Sequence, residues 1–292
     1  MSDTKITAEL LSKLEQSTLN SACHMARFFA ESRPIEMAYK QDDSMVMNID
    51  LQSQEIILST LGDSLPIVAE ENPDSHPLVD QLSDYFLVDP LDGTASAKRF
   101  QGIQGGQVGF GPLAGLVIDG KLVAACFISL PLATMFTARR GEGARFERLD
   151  LINAQPPRPF EERQQLRPQL PDDLRKCGVL FFPGARGEVP IVEKLRSGNV
   201  VENMYRLGGF ASDSARLASG SEQIQIQFSV KAWDFPATLL AREAGLQIVC
   251  DPLDKRVLFD EWKIGLENPI ISCPPALLDE LLVIIDRSRP RR

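Results

Sequence analysis

The chain reads as an α/β protein, with an α+β N-terminal half and an α/β C-terminal half. Three observations predict this. Apolar residues recur at helical spacing near both ends. Short apolar runs stop abruptly on acidic residues. Glycine-punctuated runs of β-forming residues fill the stretch between. The expected division is 1–150 for the first half, 173–292 for the second and 151–172 for the connection.

Leu10, Leu11, Leu14, Met25, Phe28 and Phe29 share one stripe, which predicts a helix over 7–31. Ile49, Ile56, Ile57 and Leu61 predict a second over 48–61, stopped by Gly62. Leu65 to Ala69 and Tyr85 to Val88 are apolar runs of strand length. They end on Glu70-Glu71 and on Asp89-Pro90, so carboxylates stand at the C-terminal strand ends where α/β sheets bind ligands. Residues 102–147 look β-rich, with a hairpin at Asp119-Gly120. The proline-rich, weakly periodic stretch after Asp150 reads as an exposed connection.

The second half opens with a strand over Gly178 to Phe182 and helices near 188–197 and 210–219. Ile224, Ile226 and Phe228 alternate with glutamine, which predicts a strand with one buried and one wet face. Trp233-Asp234-Phe235-Pro236 opens a helix to about Ala244, followed by a strand over 246–250. A last helix follows Pro274-Pro275.

The chain has 292 residues, 43% hydrophobic and 24% charged, with a net charge of −9. An acidic chain of ordinary composition excludes a broad nucleic-acid surface, which needs a basic stripe. An anionic substrate would need local cations, which bound metal can supply. No apolar run reaches membrane-spanning length, and the first residues lack a signal pattern. The five cysteines are spaced like buried small hydrophobes rather than a zinc or redox motif. A cytoplasmic protein without membrane or nucleic-acid partners is expected.

The sharpest chemical signal is Asp89-Pro90-Leu91-Asp92-Gly93-Thr94. Pro90 fixes φ and Gly93 permits a tight turn, so the two carboxylates can converge on one side of a loop. Converging carboxylates repel unless protonated or bridged by a cation, and hard oxygen ligands suit Mg²⁺ or Mn²⁺. An EF-hand loop is excluded, because that register puts Val88 first and Arg99 last. The same tetrapeptide recurs at Asp251-Pro252-Leu253-Asp254 without Gly-Thr, and reads as a surface turn.

The hexapeptide, the upstream Glu70-Glu71 and the downstream Trp233-Asp234 together resemble the inositol monophosphatase superfamily. Val68-Ala69-Glu70-Glu71 is similar to its Gly-Glu-Glu step, with Ala69 in place of glycine. Lys40, ten residues before Asp50, resembles an early Lys-to-Asp spacing. Arg140 to Phe146 resembles a glycine-rich hairpin. The resemblance implies a layered αβαβα sandwich of the sugar-phosphatase type. It also implies a Mg²⁺-dependent phosphomonoesterase that hydrolyses a small phosphorylated polyol or sugar by attack of activated water. Glu70, Asp89 and the Leu91 carbonyl would bind one ion, and Asp89, Asp92 and Asp234 another, with two or three Mg²⁺ per site. Thr94, supported by Asp50, would help Glu70 orient water. The Gly93 and Thr94 amides would bind phosphate. A homodimer is a family-level expectation.

Some residues depart from that pattern. Gln227 stands seven before Asp234, where inositol-specific members carry an acid. Phe210 and Phe235-Pro236 replace small residues. Two further readings therefore stand beside the first. One is a 3′(2′),5′-bisphosphate nucleotidase. The other is a scaffold that kept the fold and lost turnover, its pocket narrowed by those aromatics. Asp234 also reads as a helix N-cap and Trp233 as packing. His24 and His76 look unpaired and are assigned no chemistry. Glu71 and Lys40 fit a solvated surface as well as a site.

Overall fold

Thr7 opens the first helix. Its hydroxyl accepts the Leu10 N–H at 3.1 Å, satisfying a donor that a helix start leaves free. The computed structural model describes residues 7–40, 45–100, 109–152, 158–159, 162–182, 194–195, 200–205, 208–252 and 255–288. Helices α1 (Ala8–Ala30) and α2 (Asn48–Leu61) fall where the apolar stripes predict them. Between them, β1 (Met37–Tyr39) and β2 (Met45–Met47) pair as a small antiparallel hairpin.

The first sheet is built from β3 (Ile67–Ala69), β4 (Tyr85–Asp92), β5 (Gly111–Ile118), β6 (Lys121–Ser129), β7 (Thr134–Arg139), β8 (Gly143–Asp150), β9 (Arg158–Pro159) and β10 (Gln164–Gln165). Its order is β10-β8-β7-β6-β5-β4-β3, with β9 also on β8. Only β3 and β4 run parallel. Short helices α3 (Leu78–Gln81) and α4 (Thr94–Phe100) flank β4. The β5–β6 hairpin turns through Asp119 and Gly120, both at positive φ, as expected for Asp-Gly between strands. The connecting segment adds β9 and β10 to the edge of this sheet, so it is less irregular than its composition suggests.

The second sheet contains β11 (Gly178–Phe182), β12 (Asn203–Tyr205), β13 (Ile224–Lys231), β14 (Gln247–Cys250), β15 (Val257–Leu258) and β16 (Glu267–Cys273), in the order β12-β11-β13-β16-β14-β15. Its helices are α5 (Phe210–Ala218), α6 (Thr238–Glu243) and α7 (Leu278–Ser288). The helix expected near 188–197 falls largely outside the described residues.

Side-chain alternation stacks these pieces into five layers. On β4, Phe86 and Val88 face a core shared with α1 and α2, while Tyr85 and Leu87 face a core shared with α5 and α6. On β13, Val230 joins that second core, while Ile224, Ile226 and Phe228 pack with α7. The order is helices, sheet, helices, sheet, helix, the expected αβαβα sandwich.

The glutamine face of β13 is not wet. Gln225 and Gln227 are both buried, and Gln225 Oε1 accepts the Ser214 hydroxyl at 3.1 Å. Helix α5 covers Gln225, and Gln227 and Ser229 beyond it face a cleft. Strand β16, at the centre of this sheet, was not anticipated. It carries Pro269, which a central strand rarely tolerates. The β13 register shifts between Gln227 and Val230, opposite Pro269, and that irregularity accommodates the missing N–H.

Candidate active site

Asp89, Asp92 and Asp234 meet in one cleft. Each offers a carboxylate oxygen within 4.8 Å of the others, and Asp89 and Asp92 are buried. The cleft has a volume of about 850 Å³ and is also lined by Lys40, Glu70, Glu71, Gly93 and Thr94. Residues far apart in sequence thus reach a single corner.

Each carboxylate is aimed by backbone. Strand β4 continues through Asp89 to Asp92, with a register shift between them that brings both acids to the end of the sheet. Asp89 Oδ1 accepts the Leu91 N–H at 2.9 Å. Asp92 accepts Phe210 N–H on Oδ1 at 2.8 Å and Ala211 N–H on Oδ2 at 3.0 Å, so it caps α5 from the other half of the molecule. Gly209 makes this approach possible, since a Cβ there would lie 2.1 Å from Asp92 Oδ2. Gly93 has φ +82° and would meet the Gly109 carbonyl at 2.7 Å. Asp234 Oδ2 accepts Lys231 N–H at 3.2 Å. It stands at the N-cap position of the turn that follows but makes no side-chain capping bond there, and its carboxylate turns into the cleft instead.

The electrostatics follow from this crowding. Burial first, then Glu70, Asp234 and Asp92, pushes Asp89 well above the ordinary carboxylate range. Burial and then Asp234 raise Asp92 likewise. Asp234 is pushed up to about 7, by burial and then by Glu70. Three clustered oxygen acids with no thiol or imidazole donor make a set that suits a hard divalent cation, whose charge would relieve the repulsion.

Lys40 supplies positive charge beside this corner. Its Nζ donates to Glu70 Oε1 at 2.9 Å and to Glu71 Oε1 at 2.7 Å. Burial works against the ammonium, but the two glutamates outweigh it and hold its pKa above the usual lysine range. Glu71 and Lys40 therefore belong to the site rather than to a solvated surface.

The Thr94 hydroxyl lies 3.2 Å from Asp50 Oδ1 and 3.2 Å from the Leu91 carbonyl. Asp50 is fully buried, and burial pushes its pKa up to about 8 even though its Oδ2 accepts Met47 N–H at 2.8 Å. The inner face of α2 carries two more polar supports that sequence reasoning missed. Ser53 donates to the Pro90 carbonyl at 2.7 Å, and Gln54 Oε1 accepts Glu71 N–H at 3.1 Å. Interruption of the apolar stripe of α2 by Asp50, Ser53 and Gln54 is the sequence signal that could have revealed them.

Phe210 lines the cleft as expected, whereas Phe235 and Pro236 do not. Phe210 is buried at the cleft edge. Phe235 stacks on Phe259 at 5.6 Å, and Pro236 packs over Gly115, so both point into the central core rather than across the cleft. The histidines are not unpaired. His24 Nε2 lies 2.9 Å from Gln52 Oε1, while His76 contacts the Ala69 and Glu70 carbonyls and stacks on Trp233. All five cysteines are buried thiols. No helix among the described residues is long and apolar enough to cross a membrane.

A five-layer sandwich with a carboxylate corner at the junction of its sheets defines a candidate metal-ion centre for a small anionic ligand. The inositol monophosphatase family model matches residues 16–283, and the chain belongs to that family. It is 27% identical over 177 residues to the 3′(2′),5′-bisphosphate nucleotidase CysQ of Salmonella typhimurium, covering 58% of this chain and 70% of that protein. It is 25% identical over 265 residues to the inositol-1-monophosphatase of Mesorhizobium japonicum, covering 90% and 93%. Among solved structures, an IMPase/NADP phosphatase complexed with Mg²⁺ and phosphate shares the fold, with a TM-score of 0.71, 20% identity and coverage of 94% of each chain.

Proposed function

We infer that the protein is a Mg²⁺-dependent phosphomonoesterase acting on a small phosphorylated polyol or sugar. The convergence of Asp89, Asp92 and Asp234 within 4.8 Å carries this reading. Family membership supports it independently.

Glu70, Asp89 and the Leu91 carbonyl would hold one ion, and Asp89, Asp92 and Asp234 a second. When bound, Mg²⁺ supplies charge neutralisation for the phosphoryl oxygens and lowers the pKa of the attacking water. The chain's own groups do the positioning. The Thr94 hydroxyl has a single proton and two acceptors at 3.2 Å, so its lone pairs are left to accept a hydrogen bond from water. Glu70, steadied by Lys40, would orient the attacking water together with Thr94. Gly93 and Thr94 N–H groups at the cleft wall hold the phosphate. In phosphoryl transfer, such positioning and electrostatic stabilisation carry most of the catalysis.

One observation favours a bisphosphate nucleotidase as the second reading. Gln227, Ser229 and Lys231 line the cleft together and none is acidic, and the nearby Glu267 carboxylate is paired with Lys231 Nζ at 2.7 Å, so a second anionic group on the substrate meets no unpaired acid from these three positions. Turnover-free scaffolding is disfavoured, because Phe235 and Pro236 pack away from the cleft, and with Phe210 on its wall a volume of about 850 Å³ still stands open.

Phosphate release from myo-inositol 1-phosphate and from adenosine 3′,5′-bisphosphate, each with Mg²⁺ and with EDTA, tests the assignment. Release that EDTA abolishes and Mg²⁺ restores is expected. The preferred substrate separates the first two readings, and no release from a broad panel would overturn both.

A further inference from the structure

His76 does work at the cleft that no motif assigns to it. Its loop leaves the end of β3 and folds back on it. Ser75 Oγ accepts the Ala69 N–H at 3.1 Å and donates to the Asn72 carbonyl at 2.6 Å, which closes the loop over the strand end. His76 Nε2 then lies 3.1 Å from the Ala69 carbonyl and 3.2 Å from the Glu70 carbonyl. Carbonyl oxygens only accept, so Nε2 carries the proton and donates to both. The other side of the ring system meets the second half of the protein. The imidazole lies against the Trp233 indole with centroids 4.4 Å apart and planes 32° apart. Trp233 is buried and directly precedes Asp234.

We propose that His76 is a positioning residue that couples the two halves of the carboxylate cage, fixing the Glu70 backbone by hydrogen bonds and the Trp233-Asp234 step by ring stacking. The idea rests on the metal-dependent reading of the site. Glu70 comes from the first half and Asp234 from the second, and no shared secondary-structure element sets their separation. Lys40 grips the Glu70 side chain and the Val88 carbonyl accepts the Glu70 N–H at 3.0 Å, but both belong to the first half. Asp234 is held by Lys231 within its own turn. His76 touches the supports of both. A group that orients ligands without binding the ion tunes affinity through their geometry, and its removal typically costs about 10–100-fold.

The test compares His76→Ala, His76→Phe and His76→Gln with wild type. Mg²⁺ binding is measured calorimetrically without substrate, and kinetics are measured at low and saturating Mg²⁺. The phenylalanine variant keeps a ring on Trp233 but loses the N–H. The glutamine variant keeps a donor but loses the ring. We expect the alanine variant to bind Mg²⁺ about tenfold more weakly or worse, and the two single-feature variants to fall between it and wild type. Saturating Mg²⁺ should restore most of kcat with substrate KM unchanged, which a general folding defect would not do. If alanine does not fold, the phenylalanine and glutamine variants decide. Wild-type Mg²⁺ affinity in the variants, with phosphate release still Mg²⁺-dependent, overturns the role of His76 alone. A wild-type protein that neither binds Mg²⁺ nor releases phosphate overturns the underlying reading instead.

Discussion

The tetrapeptide Asp-Pro-Leu-Asp occurs twice, and only the first copy reaches the carboxylate cleft among the described residues. At 89–92 it ends a central strand, and all of its residues are buried. Of the copy at 251–254, Asp251 and Pro252 follow β14 at a bend, with Asp251 half-buried and Pro252 buried. Asp251 sits at φ +49°, its N–H donates to the Pro269 carbonyl at 2.8 Å, and its Oδ2 accepts Lys255 N–H at 3.3 Å. Leu253 and Asp254 lie outside the described residues. The difference teaches that the tetrapeptide codes only for a bend. What makes the first copy a site is burial of its carboxylates against Asp234 and Glu70, together with the Gly93-Thr94 continuation. Desolvation makes negative charge costly there, and a cation is the cheapest remedy.

The largest effect should come from breaking the first copy. Asp92→Asn removes a charge from the cage while leaving an oxygen for one of the two α5 N–H groups. Loss of phosphate release by a factor on the order of 10³ is expected, with near-native circular dichroism. Asp251→Asn, the matching change in the second copy, should leave release within about twofold, since Asp251 does not line the cleft and asparagine keeps an oxygen for Lys255 N–H. Near-wild-type activity in Asp92→Asn would remove the proposed cage, and a large loss in Asp251→Asn would erase the contrast between the copies.

Next in size are the groups that serve water rather than metal. Thr94→Ala removes the hydroxyl set between Asp50 and Leu91, and should lower kcat by about 10²-fold. Thr94→Ser, which keeps the hydroxyl, should recover most of it. An alanine variant with kcat close to wild type would mean that Glu70 positions the water without help.

The features legible in sequence were those with a strong period or a strict local geometry. The apolar stripe of α1 and the buried run of β4 announced themselves, and so did the acids they deliver. Asp89 and Asp92 could be named because their turn chemistry is special, and Asp234 because Trp233-Asp234 resembles a family step. The parts that stayed hidden depend on long-range placement. The β1–β2 hairpin that carries Lys40 has an exposed first strand and no alternating burial, so nothing local marks it. Gln225 looked wet because polarity was read without knowing that α5 covers it. His76 looked idle because its partners are two backbone carbonyls and an indole from the other half of the chain. Such contacts leave no spacing to read.

The smallest expected effect concerns pH. Unfolded aspartates release their protons near pH 4, whereas Asp234 and Asp50 in the fold are pushed up to about 7 and about 8. Between those limits the metal-free folded chain binds more protons than the unfolded one. Its stability should therefore fall as pH rises from about 4 through about 8. Mg²⁺ replaces those protons as the counter-charge and binds only the folded cage, so it stabilises by mass action. The gain in Tm on adding Mg²⁺ should be larger near pH 8 than near pH 5.5, where protons already occupy part of the cage. Thermal melts with Mg²⁺ and with EDTA across that range measure it directly. The Asp251→Asn protein should show the same dependence as wild type, because its carboxylate is not in the cage, while Asp92→Asn should flatten it. A Mg²⁺ effect that is equal at both ends of the range would mean that the buried acids are not the groups the cation neutralises.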